Sequence, residues 1–215
     1  MAASDPYGGR PPTSHERMAG QPWDASYTDG PAPWDFGGPQ PAVVEVAAAG
    51  GFAGDVLDAG CGSGENALHL AASGLRVLGV DVAETALAMA REKAKARGIE
   101  AEFATADALH LQRLGRRFDS VLDSALFHSF DTGERPAYVA GLAQVLVPEG
   151  VVQLFCFSDR GPGTGPHPVG EDELRAAFDP AAGWTVEVVE PVRIRTRFHD
   201  EHGAPGWHAT IRRRG

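Results

Sequence analysis

The sequence predicts an α/β protein with a doubly wound, seven-stranded and mostly parallel sheet that ends in an antiparallel C-terminal hairpin. Short apolar runs alternate with helical patterns between residues 55 and 157, as repeated strand–helix units do. A glycine-rich turn at residues 60–64 directly follows the first of these runs. The last two runs, residues 185–198 and 207–211, alternate in polarity on either side of a polar loop, which is typical of an antiparallel pair.

The individual elements follow from local patterns along the chain. Runs of four to seven apolar residues are read as buried strands, and runs with a period near 3.6 are read as helices. Pro41 suits the first turn of a helix, and Gly98 suits the end of one. The strands that follow the glycine turn are predicted at residues 76–81, 100–105, 118–123 and 151–157, and the helices at 42–49, 65–72, 83–97, 138–146 and 171–178.

The composition is that of one globular domain with its own core. The chain has 215 residues, of which 43% are hydrophobic and 22% are charged. The net charge of −10 argues against nucleic acid as a partner, because nucleic-acid binders present a basic surface. No run has the length of a membrane span or the pattern of a signal peptide, so no membrane partner is expected. Cys61 and Cys156 have no nearby partner in the sequence, which favours a reduced, cytoplasmic protein.

Three segments are expected along the chain. Residues 1–20 are rich in Pro, Gly, Ser and Ala without an apolar period, which predicts a disordered N-terminal tail. Residues 21–41 contain the tripeptide Pro-Trp-Asp twice, and we interpret them as a lid that covers a bound ligand and excludes water. The alternative is a loop whose tryptophans only anchor it to the core. Residues 42–215 make up the main domain.

The glycine turn predicts a ligand site at the carboxyl edge of the sheet. Gly60, Gly62 and Gly64 let the backbone turn sharply and approach a ligand closely, and a helix begins directly afterwards. A dinucleotide site has the order G-x-G-x-x-G, whereas this chain has G-x-G-x-G. Asp58, just before the turn, would repel a pyrophosphate but suits an ammonium or sulfonium group. A third interpretation is a connection that binds no ligand.

Acidic residues also follow the next strands. Asp81 lies 21 residues after Gly60 at a strand end, where its carboxylate could accept two hydrogen bonds from a ribose diol. Dehydrogenases share this feature, so it does not separate the two interpretations. Asp107 and Asp123 end the third and fourth strands, and the fourth leaves the sheet beside the glycine turn, where a reacting group belongs.

The turn resembles the first motif of the class I S-adenosylmethionine-dependent methyltransferases, an acid followed by Gly-x-Gly-x-Gly. Two further stretches are similar to a bacterial group of small-molecule methyltransferases, which act on heterocyclic, phenolic or thiol compounds and are related to the thiopurine and thiol methyltransferases. These stretches are Pro33-Trp34-Asp35-Phe36-Gly37-Gly38-Pro39-Gln40-Pro41 and Asp123-Ser124-Ala125-Leu126-Phe127-His128.

The resemblance extends from about Trp34 to the C-terminus, and the chain departs from it in the glycine-rich loop 161–165. It implies a Rossmann-like methyltransferase fold, S-adenosyl-L-methionine as cofactor and S-adenosyl-L-homocysteine as product. It also implies a Trp-bearing N-terminal segment folded over the cofactor, with the substrate at the Phe-His end of the fourth strand.

The residues and the resemblance together define a predicted site. The predicted cofactor-binding residues are Trp34, Asp58, Gly60, Cys61, Gly62, Gly64, Asn66, Asp81, Val82, Asp107, Ala108, Asp123 and Ser124. The predicted substrate-binding residues are Trp23, Tyr27, Phe127 and His128. No metal site is expected, because His199 and His202 lie in a polar hairpin loop without a second clear pair of ligands.

Methyl transfer requires a base only when the acceptor atom carries a proton. A thiol is partly ionised at neutral pH, whereas a phenol is far less so. His128 is the predicted base, because its ordinary pKa is close to neutrality, and Asp131 is predicted to orient its ring. The alternative is that His128 only caps or packs under the following helix.

The favoured function is methyl transfer to a heteroatom, sulfur first and then oxygen or nitrogen, of a small thiol, phenolic or heteroaromatic compound. Such a reaction would serve natural-product biosynthesis or detoxification. The alternatives are an NAD(P)-dependent oxidoreductase, which Asp58 and the glycine order disfavour, and an inactive cofactor-binding interaction module. We expect a small-molecule substrate and a monomer or weak homodimer.

Overall fold

The computed structural model describes residues 7–161 and 165–215 and contains a seven-stranded sheet in the order β3-β2-β1-β4-β5-β7-β6. The strands are β1 Asp55–Ala59, β2 Arg76–Asp81, β3 Glu102–Thr105, β4 Phe118–Ser124, β5 Leu146–Phe157, β6 Trp184–Ile194 and β7 Ala204–Arg213. The helices are α1 Ser14–Ala19, α2 Pro41–Ala48, α3 Glu65–Ala72, α4 Glu84–Arg97, α5 Arg135–Val145 and α6 Glu171–Ala177.

The sheet confirms the predicted fold class. β1 to β5 are parallel, whereas β7 pairs antiparallel with both β5 and β6. β1 lies between β2 and β4, so the chain reverses its direction of progress across the sheet at β1. Loops that leave the two sides of this point separate and open a crevice at the carboxyl ends of the strands, which is where open α/β sheets bind ligands.

Helices cover both faces of the sheet, so its central strands are apolar on both sides. Leu57 and Val121 point into a core that α5 and α6 close, whereas Val56 and Leu122 point into a second core under α2 and α3. This alternation follows from the two-residue period of a strand. It also determines on which face each acid of β1 and β4 is buried.

The N-terminal region differs from its prediction. Residues 14–19 form α1, with a capping box in which Thr13 and Glu16 bond each other's backbone N–H groups. Glu16 is fully buried and receives both guanidinium nitrogens of Arg10 at 2.5–2.6 Å. The disorder predicted for residues 1–20 is therefore wrong for this part. The segment has few apolar residues to bury, but the buried ion pair and the capping box hold it in an ordered conformation. Residues 1–6 of that tail lie outside the described part of the chain.

The segment predicted as a lid packs over the glycine turn. Trp23–Tyr27 form a 3-10 turn, and the carboxylate of Asp24 accepts hydrogen bonds from the backbone N–H and hydroxyl of Thr85 at the start of α4. Further along, Arg197 donates its backbone N–H to the carbonyl of Pro33. The segment is thus held from both sides of the sheet; that it opens and closes as a lid remains a prediction.

Within residues 7–161 and 165–215, none of the helices is both long and apolar enough to cross a membrane.

Candidate active site

A cavity of about 740 Å³ opens at the carboxyl ends of β1, β2 and β4. Its walls are the glycine turn, α1, the segment 23–40, the loop after β4 and the connection between β6 and β7. This volume lies within the range of sites for small organic ligands. Ten of the predicted cofactor residues line it: Trp34, Gly60, Cys61, Gly62, Asn66, Asp81, Val82, Asp107, Ala108 and Ser124.

The glycine turn presents bare backbone to this cavity. The N–H groups of Gly60 and Cys61 both donate to the carbonyl of Val80, at 2.8 and 2.9 Å, which ties the turn to β2. Gly60 and Gly62 have φ of 70° and 52°, a region that side chains disfavour. A Cβ on Gly62 would lie 2.8 Å from the hydroxyl of Tyr27. The turn therefore needs glycine for both its backbone conformation and the close approach of the segment above.

Gly64 has a different role from the one predicted. It does not line the cavity, and a Cβ there would lie 2.7 Å from the Cβ of Ala90 on α4. Its φ of 81° also favours glycine. Gly64 therefore allows α3 and α4 to pack closely, and it does not approach a ligand.

Asp58 is also misplaced in the prediction. It shares the strand parity of Val56, so its side chain lies under α3 and not in the cavity. It is 1% exposed, and neither carboxyl oxygen has a hydrogen-bond partner among the described residues. Burial, together with the nearby charges of Asp81 and Asp123, raises the pKa of Asp58 to about 8. Direct contact between Asp58 and a ligand in this cavity is therefore not supported.

Asp81 lies where the sequence predicts it, at the cavity edge of β2. One carboxylate oxygen accepts the N–H of Gly62 at 2.8 Å, and the other accepts the N–H of Ala83 at 2.9 Å. Burial raises the pKa of the carboxyl, while these amides lower it. Each oxygen has a further lone pair, so the orientation is fixed while the capacity to accept two hydroxyl groups remains.

Asp107 lines the cavity at the end of β3, although its carboxylate already has partners. One oxygen caps the following 3-10 helix through the N–H of Leu109 at 2.9 Å. The other lies 2.8 Å from Nδ1 of His110. Val82 and Ala108 provide apolar surface on the two neighbouring strand ends.

Asp123 and Phe127 are buried structural residues and do not line the cavity. Asp123 accepts the N–H groups of Leu126 and Phe127 and the hydroxyl of Tyr138, at 2.8–3.1 Å. Burial raises its pKa to about 6. The ring of Phe127 packs between Tyr138 and Phe178. Asp123 shares the strand parity of Val121 and therefore points under α5, whereas Phe127 begins the 3-10 turn Phe127–Ser129 and packs into the same core. The structure therefore does not support the predicted contacts of these two residues with a ligand.

His128 does line the cavity, but its hydrogen bond disfavours the predicted role of general base. Its Nδ1 accepts the backbone N–H of Phe157 at 3.2 Å, so the proton of the neutral ring is on Nε2. Burial first, and then the charges of His15, Arg135 and His167, lower its pKa to about 3. A ring in this state donates a hydrogen bond and does not take up a proton near neutral pH.

Asp131 does not contact His128, contrary to the prediction. Its carboxylate accepts the N–H groups of Gly133 and Glu134 and lies 3.4 Å from the guanidinium of Arg17. It therefore shapes the turn before α5.

The three predicted aromatic residues of the segment 23–40, Trp23, Tyr27 and Trp34, line the cavity, and so does Phe36. The indole of Trp34 donates to the hydroxyl of Tyr27 at 3.0 Å, and its ring meets that of Trp23 edge-on. Burial raises the pKa of Tyr27, so its hydroxyl stays protonated at neutral pH. Asn66 accepts the backbone N–H of Gln40 at 2.8 Å, which joins this segment to α3.

Sequence reasoning missed the contribution of the N-terminus to the cavity wall. Arg10, His15 and Met18 line the cavity, although they belong to the tail that was expected to be disordered. The signal was present as Thr13-x-x-Glu16, which is the pattern of a capping box. Phe157, Phe198 and the ring of His199 complete the opposite side, and no local pattern indicates them.

Among the described residues, no group of three or more His, Cys, Asp or Glu side chains is placed to hold a metal ion.

The residues of the cavity fit S-adenosylmethionine. The bare backbone at Gly60 and Gly62 leaves room for a ligand to approach closely. A Cβ at Gly60 would make a tight contact of 3.0 Å with Leu126, and one at Gly62 would lie 2.8 Å from the hydroxyl of Tyr27. The oriented carboxylate of Asp81 suits a ribose diol. Carboxylates at the edge and aromatic rings above favour a cationic ligand with a flat base over a pyrophosphate.

Comparisons with known proteins agree with this fit. Residues 56–150 match a family described as a methyltransferase domain. The 2-heptyl-1-hydroxyquinolin-4(1H)-one methyltransferase of Mycobacteroides abscessus is 37% identical over 75% of this chain and 72% of its own length. Among solved structures, one determined for the conversion of a disulfide bond into a thioacetal group during echinomycin biosynthesis is 39% identical, with a TM-score of 0.77 over 86% of each chain.

A second similar structure contains the cofactor itself. Magnesium protoporphyrin IX methyltransferase from Synechocystis PCC 6803, solved with bound S-adenosylmethionine, is 25% identical with a TM-score of 0.61. The match covers 81% of this chain and 76% of that one.

Proposed function

Because this chain belongs to the class I S-adenosylmethionine-dependent methyltransferases of small molecules, we propose that its acceptor is a sulfur, oxygen or nitrogen atom on a compact apolar compound, either aromatic or a thiol. The observation that carries the proposal is the lining of the cavity, which we divide by its residues into a cofactor part and an acceptor part. The glycine turn and Asp81 line one end, and His128 lies among apolar side chains at the other.

The cofactor part is built from residues with little freedom to move. Asp81 would accept the ribose hydroxyls, and Asp107 with Val82 and Ala108 would surround the adenine. S-adenosylmethionine supplies a methyl group that leaves sulfur without the bonding electron pair. The protein therefore mainly has to hold an acceptor in line in a dry pocket, which can contribute roughly 7–11 kcal/mol to lowering the barrier.

The acceptor part is lined by several apolar side chains, two of which are exposed to solvent. Phe130, Phe157 and Trp23 line its inner wall. Met18 and Phe198, which are 60% and 69% exposed, lie at its rim. Exposed apolar residues grouped at one opening mark a binding surface for apolar ligands. One similar protein is named as a hydroxyquinolinone methyltransferase, and the structure of another was determined for the conversion of a disulfide bond into a thioacetal group. Both descriptions support an acceptor heteroatom on an organic compound.

His128 is proposed to orient this acceptor by donating a hydrogen bond from Nε2. The N–H of Phe157 occupies Nδ1 and keeps the ring in that tautomer. A fixed donor in an apolar pocket contributes more to orientation than one in water, because no solvent competes for it.

Titration calorimetry tests the cofactor part. We expect the protein to bind S-adenosylmethionine and S-adenosylhomocysteine but not NAD, and Asp81→Ala to weaken both sulfur ligands by about 10- to 100-fold, since a hydrogen bond to a charged group contributes about 1.5–3 kcal/mol. His202→Gln is the matched control, because its side chain is 75% exposed and lies outside the cavity. Binding of NAD in place of the sulfur ligands would contradict the proposal.

A mass-spectrometric screen with labelled cofactor tests the acceptor part. Thiols, phenols and N-heterocycles of similar size should be compared with their polar analogues. Preferential methylation of sugars, peptides or nucleic acid would exclude an apolar acceptor.

A further inference from the structure

His15, on α1, lines the acceptor part of the cavity and has no hydrogen bond to the residues that the structure describes. Its Nδ1 is buried and has no partner among the described residues, and no hydrogen bond involves its Nε2 within residues 7–161 and 165–215. A buried polar nitrogen without a partner is costly in a folded protein, so such a group often serves a ligand. The imidazole lines the cavity and has no hydrogen-bond partner among the described residues, so a bound molecule can supply one.

Each of the other histidine and acidic side chains that line the cavity has at least one hydrogen-bond partner in the protein, whereas His15 has none among the described residues. His128 accepts a backbone N–H through Nδ1, and Nδ1 of His199 lies 2.7 Å from the hydroxyl of Thr196. Asp81 and Asp107 accept backbone N–H groups through at least one oxygen. The remaining carboxylates are held by cations: Lys93 pairs with Asp35, and Lys93 and Arg97 pair with Glu65.

The surroundings of His15 suit a ring that is neutral before the reaction and charged after it. Burial first, and then the nearby His167, lower the pKa of His15, whereas Glu16 raises it. Glu16 is itself paired with Arg10, so the neutral ring prevails at neutral pH. The imidazole stacks on the indole of Trp23, with ring centroids 4.3 Å apart and planes 17° from parallel. An aromatic face stabilises a cation placed above it.

We propose that His15 is the proton acceptor of the methyl transfer, while His128 only orients the substrate. In this step the X–H bond of the acceptor breaks and its proton goes to an imidazole nitrogen of His15. The electron pair stays on X and forms the new bond to the methyl carbon, while the bond from that carbon to the sulfonium sulfur breaks and leaves its electron pair on sulfur. His15 then returns the proton to solvent. The proposal rests on the methyltransferase function above and adds the class of substrate: an acceptor whose heteroatom carries a proton, such as a phenol or an N-hydroxy or thiol compound.

The docking of α1 keeps His15 at this position. Ser14 donates its backbone N–H and its hydroxyl to the carboxylate of Glu134, at 2.7 and 2.6 Å. The N–H of Asp131 donates to the same hydroxyl at 3.1 Å. The base is thus supplied by the N-terminal segment and not by the sheet.

Binding of 4-nitrophenol tests the proposal without turnover, because its phenolate and phenol forms absorb at different wavelengths. The protein is saturated with S-adenosylhomocysteine at a pH below the probe's own pKa, where the free probe is neutral. We expect wild type to bind the probe as phenolate. We expect His15→Gln to lower the ionisation constant of the bound probe by at least about tenfold, the factor that one pKa unit represents. His202→Gln should behave as wild type.

A second pair of variants, at Trp23, tests whether the aromatic ring stacked on His15 supports its role as a base. Trp23→Phe keeps a ring under His15 and should retain ionisation of the probe, whereas Trp23→Leu should reduce it. Turnover adds a further readout: His15→Gln should slow a phenol by about 10²–10⁴-fold, the usual effect of a general base, and an already ionised thiol by far less.

The outcomes distinguish the two proposals. If wild type fails to bind S-adenosylhomocysteine, the proposed function is wrong. If it binds S-adenosylhomocysteine but does not bind the probe, or if the probe has the same ionisation in wild type and His15→Gln, the role of His15 is overturned and the function stands.

Discussion

The buried carboxyl of Asp58 is expected to make the unfolding free energy depend strongly on pH. Its pKa is about 8 in the folded protein and 3.8 in its ordinary state, so the folded protein holds a proton there that the unfolded chain has lost. The stabilisation is present in full below about pH 4 and is lost as the pH rises through about 8. A pKa difference of one unit corresponds to about 1.4 kcal/mol.

The unfolding free energy of wild type should therefore fall between about pH 4 and pH 8. We expect this fall to be smaller by several kcal/mol in Asp58→Asn. The amide keeps the shape of the side chain but does not titrate. Urea denaturation at several pH values measures this. Asp119→Asn, at an exposed position of β4, should keep the wild-type slope. Equal slopes for wild type and Asp58→Asn would mean that Asp58 is ionised in the folded state.

At the scale of elements, α1 is a short helix whose order depends on its contacts with the loop before α5. Six residues are too few for a stable helix in water, so its order must come from tertiary contacts. Glu134 supplies two of these contacts through Ser14, and its side chain is only 14% exposed.

Glu134→Ala should accordingly release α1 while leaving the sheet folded. We expect the amides of Arg17 and Gly20, which close the helix, to exchange with deuterium at least about tenfold faster, because each hydrogen bond to a charged group contributes about 1.5–3 kcal/mol. The amides of β1 and β4 should be unchanged. Glu187→Ala, which breaks a surface pair with Arg212, is the control. Unchanged exchange in α1 would show that its other contacts suffice.

For the whole molecule, the cavity couples ligand binding to stability because its walls come from both ends of the chain. At a concentration 100 times its dissociation constant, S-adenosylhomocysteine should raise the unfolding free energy by about 2.7 kcal/mol. Denaturation in its presence and absence measures this gain. The same concentration of ligand should stabilise Asp81→Ala much less. Equal stabilisation of wild type and Asp81→Ala would show that Asp81 does not contribute to binding of the ligand.

Much of the fold and of the cofactor site could be predicted from local patterns. The strand periods, the glycine order and the acids at strand ends depend on residues within one strand–turn–helix unit. Gly60, Gly62, Asp81 and Asp107 line the cavity as predicted, since the carboxyl end of each strand meets the same edge of the sheet.

The errors arise where a role depends on which face of an element is covered. Asp58, Asp123 and Phe127 follow the right motifs, but the helices packed on the two faces of the sheet enclose their side chains. The state of His128 depends on a backbone N–H from Phe157, 29 residues away, and no local pattern indicates such a partner. The order of α1 depends in the same way on Glu134, 120 residues beyond Ser14. Chemical type and strand position are local properties of a sequence, whereas burial and protonation state depend on contacts between distant segments, which exist only after the chain has folded.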